Sequence, residues 1–177
     1  RILRQVAHPN IIMFMGACVD PEIGHIALLL ELAEGVELKV FMTRCPEGPD
    51  PSSRFQVLLG VSRALNYMHN LRPCLVHGDL KPANIMVATS ESVVRPKLLD
   101  FGLSRLLTRN ARPLGGTKLW MAPELLQNEA VPPEASADVY SFGLLFYFVT
   151  TGEHTIKRTW PLPGIKALQM ARRRPLM

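Results

Sequence analysis

The sequence predicts an α+β domain in which a strand-bearing front precedes a mostly helical body. Apolar runs of strand length occupy 11–19 and 25–32, and turn-forming residues at 20–24 separate them. Further along, apolar residues recur every three or four positions over 52–70, the spacing of an amphipathic helix. A chain of 177 residues fits one domain, and strands followed by helices are typical of α+β folds.

The other elements follow from local patterns. Residues 34–51 carry Gly and Pro and predict a loop with one brief helix. The helix at 52–70 is expected to start at a serine and to bury Phe55, Leu58, Leu59, Ser62, Leu65 and Met68. The remaining predictions are short strands at 74–76, 85–87 and 97–99, a polar loop at 108–116, helices at 123–127 and 137–151, and a weaker helix at 165–172.

The most apolar stretch, VYSFGLLFYFV at 139–149, predicts a buried helix rather than a membrane span. Its eleven residues are fewer than the ~20 that a spanning helix needs. Asp138 and Gly143 also fit lipid poorly. A helix that is apolar on all sides is expected at the centre of a domain.

Composition excludes several classes of protein. Hydrophobic residues make up 47% of the chain and charged residues 20%, unlike a disordered chain. The net charge is +5, and the basic run at 172–174 is interpreted as a solvated face, so no nucleic-acid partner is predicted. Cys18, Cys45 and Cys74 show neither metal-ligand spacing nor a disulfide framework, which favours a reducing compartment. With no signal or transmembrane segment visible, we predict a cytoplasmic location.

The candidate chemistry lies in three short motifs. HGDLKPAN at 77–84 places a lysine two residues and an asparagine five residues after an aspartate. DFG follows at 100–102, directly behind a predicted strand, and MAPE lies at 121–124. Taken singly, the first motif could be a helix start or a turn, and the second an ordinary strand exit. All three in this order and spacing favour a functional interpretation.

Together the three motifs resemble the signature set of eukaryotic protein kinases. The resemblance extends to HPNI at 8–11 and SADVYSFG at 136–143, so it covers essentially the whole chain. It implies the two-lobed kinase fold, with 1–33 as the end of the smaller lobe and the hinge, and 34–177 as most of the helical lobe. We expect a fragment truncated at both ends, because nothing in it resembles the Gly-rich loop, the strand-three lysine or the last kinase helices.

The resemblance assigns phosphoryl transfer to four polar residues. Asp79 would accept the proton of the substrate hydroxyl, and Lys81 would neutralise charge near the γ-phosphate of ATP. Asn84 and Asp100 would hold the Mg²⁺ ions that bridge the phosphates. One carboxylate and one amide oxygen suit Mg²⁺, which prefers hard oxygen ligands and keeps several waters.

The resemblance also places an adenine site. Leu30 falls at the gatekeeper position, the backbone groups of Glu31 and Ala33 face the adenine, and Met86 packs under it. Ordinary core packing would equally explain the two apolar side chains among these.

Two further residues are expected to support the site without touching ATP. His77 packs and forms hydrogen bonds, and Asp138 holds the HGDLKPAN segment by hydrogen bonds.

The substrate class follows from finer features. Lys81, and Gly116-Thr117 ahead of MAPE, resemble the Ser/Thr kinase pattern. Trp120-Met121 and DVYSFG at 138–143 resemble the tyrosine-kinase-like group, which includes the Raf-type kinases and mostly modifies Ser and Thr.

We therefore predict an ATP- and Mg²⁺-dependent kinase of protein Ser/Thr residues, inactive as this fragment. One alternative is a pseudokinase or scaffold module on the same fold, which would be expected to lack Asp79, Asn84 or Asp100. A small-molecule kinase is disfavoured by GTKLWMAPE at 116–124. Regulation by a partner or a dimer is expected because Gly78 replaces the arginine usual in this motif.

Overall fold

The computed structural model describes residues 6–19, 25–91, 93–100, 117–127 and 134–153. Its elements are β1 (Phe14–Val19), β2 (Ile26–Leu30), β3 (Val36–Glu37), α1 (Leu38–Thr43), α2 (Pro51–His69), β4 (Ile85–Ser90), β5 (Val93–Leu98), α3 (Pro123–Gln127) and α4 (Ala135–Thr151), with 3₁₀ turns at Pro82–Asn84 and Thr117–Trp120. This content agrees with the predicted α+β class. The loop predicted at 108–116 and the helix predicted at 165–172 lie outside the described residues.

Two antiparallel sheets form the front of the molecule. β1 pairs with β2, with Phe14 opposite Leu30, and β3, β4 and β5 form a second sheet in that order. The strand predicted at 11–19 begins later than expected because the residues before β1 pair elsewhere. Ile12 N–H donates to Leu98 O at 2.9 Å. The segment before β1 therefore joins the first hairpin to β5.

The strand predicted at 74–76 is wrong. The N–H of Leu75 donates to Met68 O at the end of α2, 3.0 Å away. Shortly after it, the N–H of His77 donates to the Asp138 carboxylate at 2.8 Å. The backbone is thus satisfied by a helix end and a side chain instead of a neighbouring strand.

The first residue of helix α2 and its buried face both differ from the prediction. Its cap is Asp50, whose Oδ1 accepts the N–H groups of Ser52 and Ser53 at 2.9 and 3.1 Å. Pro51 takes the first helical position, where a missing N–H costs nothing. Phe55, expected inside, is 63% exposed. The buried face consists of Val57, Leu58, Gly60, Val61, Ala64, Leu65 and Met68.

Helix α2 approaches β5 closely at Gly60. A Cβ at this position would lie 2.4 Å from Pro96 Cγ and 2.9 Å from Asn10 Nδ2, which the packing does not allow. Near the start of the helix, an Arg54 guanidinium nitrogen donates to Thr150 O at 2.6 Å, at the C-terminal end of α4. Helix α2 therefore packs against both β5 and α4, and the three elements share one core.

Helix α4 is buried on one side, so the prediction of all-round burial is wrong. Leu145 and Phe148 are 0% and 3% exposed, whereas Val139 and Phe146 are 62% and 51% exposed. Its described neighbours, α2 and the 3₁₀ turn at Thr117–Trp120, cover the buried side. Within the part of the chain that the structure describes, no helix is long and apolar enough to cross a membrane.

Candidate active site

The catalytic segment, residues 77–84, connects α2 to β4 and is fixed by one buried carboxylate. Asp138, near the start of α4, is 1% exposed. Its Oδ2 and Oδ1 accept the N–H groups of His77 and Gly78, each at 2.8 Å. Nε2 of His69, at the end of α2, lies 2.8 Å from Asp138 Oδ2. Two helices and the catalytic segment therefore meet at a single side chain.

The contacts of His77 fix its protonation. Its Nε2 lies 2.9 Å from Leu99 O, and because a carbonyl oxygen can only accept, Nε2 carries the proton. Its Nδ1 then accepts the N–H of Asp79 at 3.2 Å. Burial lowers the pKa of His77 below its ordinary value, outweighing the nearby carboxylates of Asp138, Asp79 and Asp100. A neutral imidazole with both nitrogens engaged holds the backbone rather than transferring protons.

Asp79 has one oxygen engaged and one without a partner. Its Oδ2 accepts from Lys81 Nζ at 2.6 Å and from Asn84 Nδ2 at 3.2 Å. Its Oδ1 is buried and has no hydrogen-bond partner among the described residues. An unpaired buried carboxylate oxygen is costly unless a ligand supplies a donor. Oδ1 can therefore accept a hydrogen bond from a bound ligand.

Asp100 follows a residue whose backbone is hydrogen-bonded to Asn84. Asn84 Nδ2 donates to Asp79 O at 2.9 Å, which leaves the amide oxygen for a cation. The N–H of Leu99 donates to Asn84 O at 2.8 Å, so the residue after Leu99 lies beside this segment. That residue, Asp100, is exposed and has φ 53°, a left-handed conformation that Asp adopts more readily than most residues.

The donor set fits Mg²⁺. Asp100 offers carboxylate oxygens and Asn84 an amide oxygen, the hard ligands that Mg²⁺ prefers. No group of three His, Cys, Asp or Glu side chains in the described ranges could hold a metal ion by itself. Mg²⁺ does not need one, because it commonly binds one or two carboxylates together with substrate phosphates and waters.

The residues predicted to contact adenine lie on β2, on β4 and in the hinge segment, residues 31–35. Leu30 ends β2 and Ala33 lies in the hinge, both packed against the main core. Met86 lies in β4 and is partly buried. The N–H of Glu31 donates to Met13 O at 3.0 Å. The structure thus joins Asp79, Lys81 and Asn84 by direct contacts. In the hinge, Glu31 instead contacts Met13 and Lys97.

Two polar residues at the site were not predicted from the sequence. Lys97 in β5 forms an ion pair with Glu31, and His69 contacts Asp138. The partners are 66 and 69 residues apart in sequence, so no local pattern reveals them. Lys97 is one of two charged residues in the strand VVRPKL, and nothing in that pattern distinguishes it from Arg95.

A family model described as "Protein kinase domain" matches residues 1–164. The chain belongs to the protein kinase family. The predicted protein kinase catalytic domain and its α+β fold are thereby confirmed. The roles assigned to individual site residues, and a boundary between lobes after residue 33, stay predictions.

Several named relatives resemble this kinase. It is 33% identical over 177 residues to the probable serine/threonine-protein kinase SIS8 of Arabidopsis thaliana, covering 98% of this chain and 16% of the relative. It is 36% identical over 155 residues to the serine/threonine-protein kinase CTR1 of the same plant, covering 85% and 18%. It is 32% identical over 158 residues to the dual specificity protein kinase shkE of Dictyostelium discoideum, covering 86% and 21%. The chain therefore spans about a fifth or less of the length of these relatives.

Proposed function

We propose that this kinase transfers the γ-phosphate of ATP to Ser and Thr hydroxyls of protein substrates. The observation that carries the proposal is the state of Asp79, with a buried, unpartnered Oδ1 and an Oδ2 held by Lys81 and Asn84. A carboxylate fixed in this way can orient an attacking hydroxyl and accept its proton. The hydroxyl loses this proton as it is phosphorylated, and a positioned base speeds that step.

The other roles in the proposal follow from charge. Mg²⁺ held by Asn84 and Asp100 would neutralise the phosphate oxygens of ATP. Lys81 brings a positive charge next to Asp79, where it can offset negative charge that develops during transfer. On the adenine side, the proposed contacts are Leu30, Met86 and the backbone groups of Glu31 and Ala33.

Serine and threonine are the proposed acceptors in a Raf-type kinase. SIS8 and CTR1 carry serine/threonine-protein kinase in their names, which supports this choice, whereas shkE is named a dual specificity kinase. A cytoplasmic location belongs to the same proposal. Cys18, Cys45 and Cys74 are all free, as a reducing compartment would leave them.

The test is a phosphorylation assay on the full-length protein. Matched peptides with Ser, Thr or Tyr as the sole acceptor are incubated with ATP and Mg²⁺, and we expect Ser and Thr to be modified and chelation of Mg²⁺ to stop the reaction. Residues 1–177 alone are expected to give little turnover, because the sequence has no Gly-rich loop or strand-three lysine. ATP binding without phosphorylation of any peptide would favour the pseudokinase alternative, and modification of Tyr alone would contradict the proposed acceptor.

Regulation is expected not to depend on phosphorylation of the activation loop. Kinase activation loops can be ordered by pairs between arginine and a phosphorylated residue. Gly78 stands where the resemblance leads us to expect that arginine, with φ 75° and its N–H donated to Asp138. Glycine offers no side-chain donor or charge, so we expect control by dimerisation or a partner domain instead.

This expectation is checked by measuring the activity of the full-length kinase before and after phosphatase treatment. The variants Ser104→Ala and Thr108→Ala, in the segment after DFG, are assayed in parallel. All three treatments should leave activity unchanged. A large loss after phosphatase that either alanine reproduces would contradict the expectation.

A further inference from the structure

Glu31, at the start of the hinge segment, is held from two directions. Its carboxylate forms an ion pair with Lys97 of β5. The same carboxylate accepts the N–H of Met13 at 2.8 Å, and the N–H of Glu31 donates back to Met13 O at 3.0 Å. The hinge therefore begins at a residue whose side chain and backbone are both tied to neighbouring segments.

Lys97 lies on the strand that leads to the candidate metal site. Its partner across the sheet is Met86, the residue proposed to lie under the adenine. Asp100, a proposed Mg²⁺ ligand, follows three residues later. Leu98, directly after Lys97, forms backbone hydrogen bonds with the segment at 10–12 through both its N–H and its O. Residues 97–100 thus connect the hinge, the residue proposed to lie under the adenine and the aspartate proposed to bind Mg²⁺.

The ion pair is poorly placed to stabilise the fold. The side chains of Lys97 and Glu31 are 29% and 23% exposed, and ion pairs that water can reach contribute little net stability. Burial tends to raise the pKa of Glu31, but Lys97 and the N–H of Met13 outweigh it and lower the pKa below the ordinary value. The Glu31 carboxylate is therefore ionised near neutral pH, and what the contact with Lys97 contributes is geometry rather than stability.

We propose that the Glu31–Lys97 ion pair is a positioning clasp that sets the spacing between the hinge and the strand carrying Asp100. This inference rests on the proposed kinase function, which gives those two places to the adenine and the metal-bound phosphates. ATP must reach both at once, so its affinity depends on their spacing. Glu31 acts here through its side chain, and Lys97 is a positioning residue that does not touch the reacting phosphate.

The experiment compares Glu31→Gln, Lys97→Met and the double variant in the full-length kinase. Glutamine keeps an oxygen for the N–H of Met13 and methionine keeps an apolar stem, so each change removes mainly the charge pair. We expect each single change to raise the KM for ATP about fivefold while kcat and the peptide KM stay unchanged. The double variant should lose no more than either single variant, because both remove one interaction. Lys97→Arg, which keeps the charge, should restore the KM for ATP.

Arg95→Met is the matched control, because Arg95 is exposed on the same strand two residues earlier. It should leave the KM for ATP unchanged. Unchanged KM values in both single variants, additive losses in the double variant, an equal loss in Arg95→Met, or a gain in activity would each overturn the clasp.

Binding of a fluorescent ATP analogue separates the clasp from the proposed function. The expected weakening of the analogue's Kd does not require turnover. If no peptide is phosphorylated but Glu31→Gln and Lys97→Met still weaken the analogue about fivefold, the kinase function fails and the clasp stands. If peptides are phosphorylated and both variants bind the analogue as tightly as the wild type, the clasp fails and the kinase function stands.

Discussion

Replacing Asp79 with asparagine is expected to lower the kcat of the full-length kinase by about a thousandfold, within the range of about 10²- to 10⁴-fold that a positioned general base supplies. Asparagine has nearly the same shape, and its oxygen can still accept from Lys81 and Asn84 as Asp79 Oδ2 does. Its amide nitrogen cannot accept the proton of an attacking hydroxyl. The loss should therefore fall on the chemical step rather than on folding.

The measurement is steady-state kinetics with a Ser peptide, together with nucleotide binding and a thermal melt. The variant's Kd for an ATP analogue and its melting temperature should match those of the wild type. Asp50→Asn is the matched control, because Asp50 caps α2 and asparagine caps helices equally well. That control should keep full activity. A kcat for Asp79→Asn within about tenfold of the wild type would contradict the assignment of Asp79 as the base.

The side-chain contacts within residues 77–84 could be anticipated from the sequence because their geometry is local. Asp79, Lys81 and Asn84 lie within six positions, and the 3₁₀ turn at Pro82–Asn84 is enough to bring their side chains together. The short strands predicted at 85–87 and 97–99 lie in or overlap β4 and β5 for the same reason, since apolar alternation is read over a few residues. Contacts of this range need no knowledge of the rest of the fold.

What the sequence missed depends on packing between distant elements. The period of α2 allowed more than one apolar face, and the close approach of β5 at Gly60 selects the face that excludes Phe55. The ion pair joins Glu31 of the hinge segment to Lys97 of the second sheet, so neither residue's neighbours in sequence indicate it. The helix start predicted at a serine was also wrong, because the cap is Asp50, whose carboxylate accepts the N–H groups of Ser52 and Ser53.

Replacing Asp138 with alanine is expected to lower the free energy of unfolding by about 2–6 kcal/mol, because one buried and one partly buried backbone N–H group lose their acceptor at about 1–3 kcal/mol each. Those groups belong to His77 and Gly78, which precede Asp79 directly. His69 also loses its partner, but it is 18% exposed and can bind water instead. The loosened segment should misplace Asp79, and a shift of about 1 Å is enough to reduce kcat about a hundredfold.

Chemical denaturation followed by tryptophan fluorescence measures the stability loss, because buried Trp120 packs against Phe148 of α4. Glu134→Ala is the control directly before the same helix, since Glu134 is exposed and makes no side-chain cap, and it should change stability by less than about 0.5 kcal/mol. The kinetic assay is run well below the midpoint of unfolding, so that lost activity reflects the folded state. A variant at position 138 that is destabilised yet keeps the wild-type kcat would show that this carboxylate supports the fold without positioning Asp79.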